Sequence, residues 1–228
     1  MIAAVHQPQY LPWLGYFHKI AKCDVFVFLD DVQYKKREFQ NRNKIKTASG
    51  PLWLTVPVLT KGAYSQNINE VKTDTTEHHW ENSHWKSIEL NYRHSPFFKE
   101  HAGFFSELYA KKWDSLMNVS LEIIRYTLKY LAINTPIKMS SEFALSSAST
   151  QRIIDLCKAI GAGTYLSGAG GKDYMDTSLF AQQNITLEFQ QFNHPQYPQQ
   201  YGAFEPYLSI IDLLFNCGPD SRKILLGN

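Results

Sequence analysis

The chain has 228 residues, enough for one ordinary α/β core with an appendage, since domains usually run to roughly 100–200 residues, which excludes repeat arrays and mini-proteins. Hydrophobic residues make up 44% and charged ones 19%, which excludes a disordered or supercharged chain, and a net charge of +2 gives no global pull toward nucleic acid or an anionic membrane. The unusual figure is the aromatic content, 14 Phe, 13 Tyr and 5 Trp, more than a core obviously needs.

In chain order, Ile2–Val5 is a short apolar run stopped by His6-Gln7-Pro8, the shape of a buried strand ending at a loop. Trp13, Leu14, Phe17, Ile20 and Ala21 then recur at helical spacing after Pro12. Val25–Leu29 is a second apolar run leading into Asp30-Asp31, so the first 31 residues spell strand, helix, strand with a right-handed crossover. A basic stretch follows from Gln33 to Lys46, then a hairpin in which Asn43–Thr47 and Trp53–Val58 flank Ala48-Ser49-Gly50-Pro51, with Ile68–Lys72 as a further strand. Residues 78–133 change to a helical period and read as three helices broken at Ser95-Pro96 and near Trp113.

Beyond Pro136 the alternation resumes. A helix Ser149–Ala159, a strand Thr164–Leu166, a glycine loop, a helix near Met175–Gln182, a strand Thr186–Phe189 and a last helix Leu208–Asn216 are expected. The fold class is therefore α/β, a mostly parallel sheet of Rossmann-like type with a β-hairpin excursion and an all-helical insert: residues 1–77 and 134–228 as the core and 78–133 packed on it. Ligands of such sheets bind beyond the carboxyl ends of the strands, which selects His6, Asp30, Asp31 and Ser167 as neighbours.

Three cysteines, Cys23, Cys157 and Cys217, are odd in number, far apart and set among apolar residues, the usage of buried reduced thiols in a cytoplasmic protein. The start of the chain lacks a basic n-region, and no stretch reaches the about 18 apolar residues of a membrane span.

Four segments carry candidate chemistry. His6, Gln7, Tyr10, Trp13 and Gly15 belong to a proline-stiffened loop at a helix N-terminus, suited either to an anion or to a rigid turn with His6 satisfied in the core. Asp30 and Asp31, followed by Asn41-Arg42-Asn43, join carboxylates for Mg²⁺ or ribose to a bidentate cation and neutral donors for phosphate; Lys35, Lys36 and Lys46 are read as facing water.

Ser167, Gly168, Gly171, Lys172, Asp173 and Tyr174 form a glycine loop after a strand, with the cation at the following helix start, although not as a Walker A pattern; a tight connection is the competing reading. His194, Tyr197 and Tyr201 sit among prolines, where aromatics can clamp a sugar or base and His194 can move a proton; a rigid surface loop is the alternative. His79 and His84, five apart, lie on different helical faces, so no protein-held metal site is expected from them or from His78. Lys138-Met139-Ser140-Ser141 resembles part of the K-M-S-K-S loop of class I aminoacyl-tRNA synthetases, over four residues only.

Taken together, His6-Gln7-Pro8-Gln9-Tyr10-Leu11-Pro12-Trp13-Leu14-Gly15-Tyr16, Asp30-Asp31-Val32-Gln33-Tyr34, Asn41-Arg42-Asn43, Tyr165-Leu166-Ser167-Gly168, Gly171-Lys172-Asp173-Tyr174, His194-Pro195 and the segment from Pro206 to Asn216 resemble the WbqC-like family, whose bacterial members include some encoded beside surface-polysaccharide and modified-sugar genes. The first 31 residues are also similar in layout to HxGH nucleotidylyltransferases and pantothenate synthetase. Trp13-Leu14-Gly15-Tyr16 stands in the HxGH place, keeping the glycine and replacing both histidines with aromatics.

These resemblances imply a nucleotide-dependent acyl or aminoacyl transferase or ligase acting on an amino sugar, itself nucleotide-linked, in bacterial surface-polysaccharide biosynthesis. His6, Asp30 and His194 are its candidate catalytic residues, and ATP or another nucleotide with Mg²⁺ the candidate cofactor. The alternatives are a non-catalytic nucleotide-sugar binding or scaffold protein and an HxGH-type nucleotidylyltransferase. Small molecules, the amino sugar and the nucleotide, are the expected partners, with no nucleic acid, no membrane insertion and room for a homodimer. If the loop aromatics bind sugar, they should line one pocket.

Overall fold

The computed structural model describes residues 1–63, 65–76, 79–173 and 175–227, the side chain of Asp173 excepted. The main sheet is built from β1 (Ile2–His6), β2 (Val25–Phe28), β5 (Ile137–Met139), β6 (Thr164–Ser167) and β7 (Thr186–Phe189). Its spatial order is β5-β2-β1-β6-β7 and every pairing is parallel. The chain thus grows outward from β1 in one direction and then restarts beside it in the other. This is the doubly wound arrangement, with its reversal between β1 and β6.

Strand alternation explains why both faces are covered. In β1, Ala4 faces one apolar cluster while Ala3 and Val5 face the other; Phe26 and Phe28 of β2 oppose Val27 in the same way, and Leu166 of β6 opposes Tyr165. The first face packs on α1 (Leu14–Ala21), α7 (Ile210–Cys217) and α8 (Ser221–Leu226). The second packs on α5 (Ser149–Ala159) and α6 (Thr177–Gln182), with Phe180 stacked on Tyr165 at 5.5 Å. Leu14, Phe17 and Ile20 of α1 are fully buried, each contributing about 1.5–3 kcal/mol over an exposed position.

Helices α2 (Trp80–Tyr92), α3 (Phe98–Ala110) and α4 (Leu116–Tyr130) lie where the period predicts them, with interruptions at Ser95-Pro96 and Trp113. Ile88, Phe105, Val119 and Ile124 belong to the same apolar cluster as α1 and α7. No helix among the described residues is long and apolar enough to cross a membrane. Cys23, Cys157 and Cys217 are free and buried.

Two sequence expectations are corrected and two short elements are added. The hairpin pairs β3 (Arg42–Thr47) with β4 (Gly50–Thr55), the second strand lying three residues earlier than expected, because Gly50 at φ +102° closes a two-residue turn and Pro51 is tolerated in a two-stranded ribbon. Ile68–Glu70 is a 3₁₀ turn instead of a strand, since the Glu70 carboxylate accepts the Asn67 N–H at 2.8 Å and closes a local capping box. Strand β5 was not foreseen, as three residues carry no periodicity. The expected helix near the C-terminus is α7, ended by Gly218 at φ +48°, and the short α8 beyond it is additional.

Candidate functional site

Loops after β1 and β6 diverge at the reversal of strand order, opening a cavity of ≈ 550 Å³ between them. Val5, His6 and Gln7 form one wall, Ser167, Gly168 and Gly171 another, and Thr150 and Arg152 of α5 close the side. Lys19 of α1 and Lys35 of the loop after β2 complete it. A second hollow of ≈ 240 Å³ adjoins it, with Trp13, Gly15, Phe192 and Gln190 on its far side. His6, Lys19, Gly168 and Gly170 line both, so they form the wall between the two spaces.

Lys19 is the central group. It is 2% exposed, and its Nζ donates to the backbone oxygen of Val5 at 3.2 Å. It is not one of the ion pairs found among the described residues, which are Lys112–Glu81 and Arg152–Asp31. Withdrawal from water, slightly offset by the Cys23 thiol, brings its amine down to about 7.

His6 faces the same wall. Its Nδ1 donates to the Gln7 carbonyl at 3.1 Å, which leaves Nε2 as a lone pair. Burial, then the neighbouring Lys19 charge, push it to about 3, so the ring is neutral at physiological pH. A base so weak holds a proton poorly, whereas an amine near 7 is matched to the task. Sequence reading missed Lys19; its one signal was a lysine on a helix flanked by buried aromatic and aliphatic positions.

Gln7 is held in place by Gln40, whose Nε2 donates to the Gln7 Oε1 at 2.7 Å. Ser167 is buried, its hydroxyl against Gly168 O and Met175 Sδ. A Cβ on Gly171 would lie 2.0 Å from the Ser167 Oγ, so a larger residue there would have to displace that hydroxyl. On Gly170 a Cβ would meet open space, and on Gly168 only the Lys19 Nζ at 3.9 Å. At Gly15 the Trp13 ring lies where a Cβ would be, within 2.2–2.7 Å, so packing by itself calls for the glycine.

The remaining expected residues are placed elsewhere. The Asp30 carboxylate accepts from Ser140 Oγ at 3.0 Å, the Ser141 N–H at 3.0 Å, Ser141 Oγ at 2.7 Å and Asn69 Nδ2 at 3.3 Å. Asp31 forms an ion pair with Arg152 and meets the Ser140 hydroxyl. Both carboxylates are therefore committed to joining β2 to the segment after β5 and to α5, and neither lines the cavity. Among the described residues no group of three or more His, Cys, Asp or Glu is arranged to hold a metal ion.

Asn41 Nδ2 donates to Val56 O at 2.9 Å and Asn43 Nδ2 to Leu11 O at 2.7 Å, fastening the hairpin to its surroundings. Arg42 lies over the Trp53 ring at 4.4 Å and donates to Arg37 O. Lys172 is exposed, its amine 5.1 Å from the centre of the Phe189 ring. The side chain of Asp173, and Tyr174 and His78 altogether, lie outside the described residues.

His194 donates from Nδ1 to Pro195 O at 2.9 Å and accepts the Tyr207 N–H on Nε2 at 3.2 Å. With both nitrogens engaged by backbone, the ring acts here as a clasp. The aromatics do not share one pocket. Trp13, Phe192, His194, Tyr197, Phe204 and Tyr207 form one ring cluster, of which Trp13 and Phe192 reach the second hollow. Tyr10 is buried with Trp80, His84 and Tyr109, its hydroxyl 2.8 Å from His84 Nδ1. Phe39 meets Trp53 near Arg42, away from both spaces.

The fold and cavity define an α/β protein with a ligand-sized cleft at the reversal of a doubly wound parallel sheet. The WbqC-like protein family matches residues 7–224, and the chain belongs to that family. It is 37% identical over 226 residues, 97% of this chain and 96% of the relative, to an uncharacterized protein of Mycobacterium tuberculosis. The comparison with solved structures found no match.

Proposed function

We propose that this protein is a nucleotide-dependent transferase or ligase that attaches an acyl or aminoacyl group to an amino sugar, itself carried on a nucleotide, in the bacterial surface-polysaccharide setting that the family resemblance suggests. The observation that carries this reading is the large cavity at the strand reversal. Its ionisable side chains are the bases Lys19, Lys35 and Arg152, of which Arg152 is paired with Asp31, and no described carboxylate lines it. Such a space attracts phosphates, and Gly170 and Gly168 let a ligand approach the backbone. Lys35 would hold a nucleotide's phosphates on one side, while the Gln7 amide nitrogen offers hydrogen bonds on the other.

Asp30 and Asp31 are taken up by Ser140, Ser141, Asn69 and Arg152, so these residues do not fit a protein-built Mg²⁺ cage. A magnesium ion that accompanies a nucleotide would be held chiefly by its phosphates. The chain's own contribution is to bind, exclude water and move a proton at Lys19.

Purified protein incubated with ATP, glycine and an amino-sugar nucleotide is expected to release AMP or ADP together with an acylated sugar. Absence of nucleotide consumption with a panel of carboxylate donors would sink the ligase reading. A non-catalytic nucleotide-sugar binder is the second reading, favoured by the structural engagement of Asp30 and His194. Saturable binding of ATP without turnover in the same assay would select it.

A further inference from the structure

The two hollows meet at one wall, and their polar groups differ in kind. Beyond that wall, both amide hydrogens of Gln190 are already used, donated to Gly15 O at 2.8 Å and to His18 Nδ1 at 3.0 Å, which leaves its Oε1 to accept. His6 likewise has given its Nδ1–H to Gln7 O and keeps the Nε2 lone pair. The smaller hollow therefore offers acceptors beside aromatic surface, where Trp13 and Phe192 meet edge to face at 5.5 Å and 78°. A ligand complementary to it carries N–H or O–H donors and a flat C–H face, the description of an amine-bearing sugar ring. The larger hollow, with its cations, suits the phosphorylated partner. Lys19 touches both, and its Nζ spends one hydrogen on Val5 O.

We propose that the smaller hollow seats the nucleophilic substrate, an amine-bearing sugar ring, and that Lys19 in the shared wall receives the proton that this nucleophile sheds. The proposal rests on the nucleotide-dependent transfer put forward above. The neutral amine of the ring forms a bond to an acyl carbon held across the wall as an acyl phosphate or acyl adenylate. The carbon–oxygen bond to phosphorus-bound oxygen breaks, and its electron pair leaves with the phosphate. The proton released from the new amide nitrogen goes to Nζ of Lys19.

Saturation-transfer NMR on the full chain with D-glucosamine, without and with ATP, tests the seat. Saturation should reach the ring protons in both conditions, and Trp13→Leu or Phe192→Leu should weaken glucosamine binding about tenfold, the upper end expected for one lost aromatic contact. ATP binding and the circular dichroism spectrum of these variants should be unchanged. No transfer to glucosamine while ATP binds overturns the seat and leaves the nucleotide reading in place. Displacement of glucosamine by ATP overturns it as well. Glucosamine binding without any nucleotide binding supports the seat and refutes the nucleotide reading.

The proton role has its own readout. In ¹³C-lysine NMR one resonance should titrate near 7, vanish in Lys19→Arg and shift when glucosamine is added. Titration of every lysine near the ordinary 10.5 overturns the role of Lys19.

Discussion

A buried amine costs stability when no carboxylate is paired with it, and Lys19, which has no such partner among the described residues, bears that cost where the two hollows meet. In the unfolded chain it titrates near 10.5 and in the folded chain at about 7, so between those values the unfolded chain holds the extra proton and folding stability rises with pH. His6 acts in the same direction at lower pH, titrating near 6.5 unfolded and at about 3 folded, so its contribution is complete above 6.5 and is lost as the pH falls toward 3. Each group sets a slope of at most ~1.4 kcal/mol per pH unit within its window. Urea unfolding as a function of pH should show both slopes. Lys19→Met should remove the upper one and leave the protein more stable at neutral pH. A slope that persists between pH 7 and 10.5 in that variant would assign it to another group.

At the scale of elements, the strand-end carboxylates show how one residue type supports two readings. Asp-Asp after a strand is equally the pattern of a metal or ribose site and of an anchor for the neighbouring segment. Which one holds depended on Ser140, Ser141 and Asn69, distant in sequence and adjacent in space. Asp30 is buried and gathers four hydrogen bonds, so Asp30→Ala should destabilise the protein by about 2–4 kcal/mol, while Ser141→Ala, at an exposed position, should cost ~1 kcal/mol, both read by urea unfolding. Equal and negligible losses would mean that β5 is held by its backbone ladder alone. Elsewhere the long, strongly periodic segments, α2 to α4 and α5, were legible because burial of one helical face imposes spacing on the sequence. Strand β5 and helix α8 were not, being too short to show a period.

For the whole molecule, the helical segment and the sheet share a continuous apolar cluster, from Phe105 and Ile124 through Phe215 to Phe17 and Phe26. Such continuity predicts one cooperative transition. Variants that keep only Trp13, beside the second hollow, or only Trp113, between α3 and α4, should report the same urea midpoint by fluorescence. Separate midpoints would show that the helices unfold on their own.

The sequence by itself determined the α/β class, the strand-helix-strand start, the three-helix stretch and the placement of His6, Gln7, Ser167, Gly168 and Gly171 at strand ends, because periodic burial and glycine or proline punctuation act locally. Only the tertiary structure decided which of those strand ends meet, that Arg152 of α5 and Lys19 of α1 close the same cavity, and that Asp30, Asn41, Asn43 and His194 are engaged in holding segments together. The physical reason is that a polar side chain carries no mark of its partner in the sequence. Whether it is spent on structure or left for a ligand depends on the donors and acceptors that folding brings within about 3 Å of it.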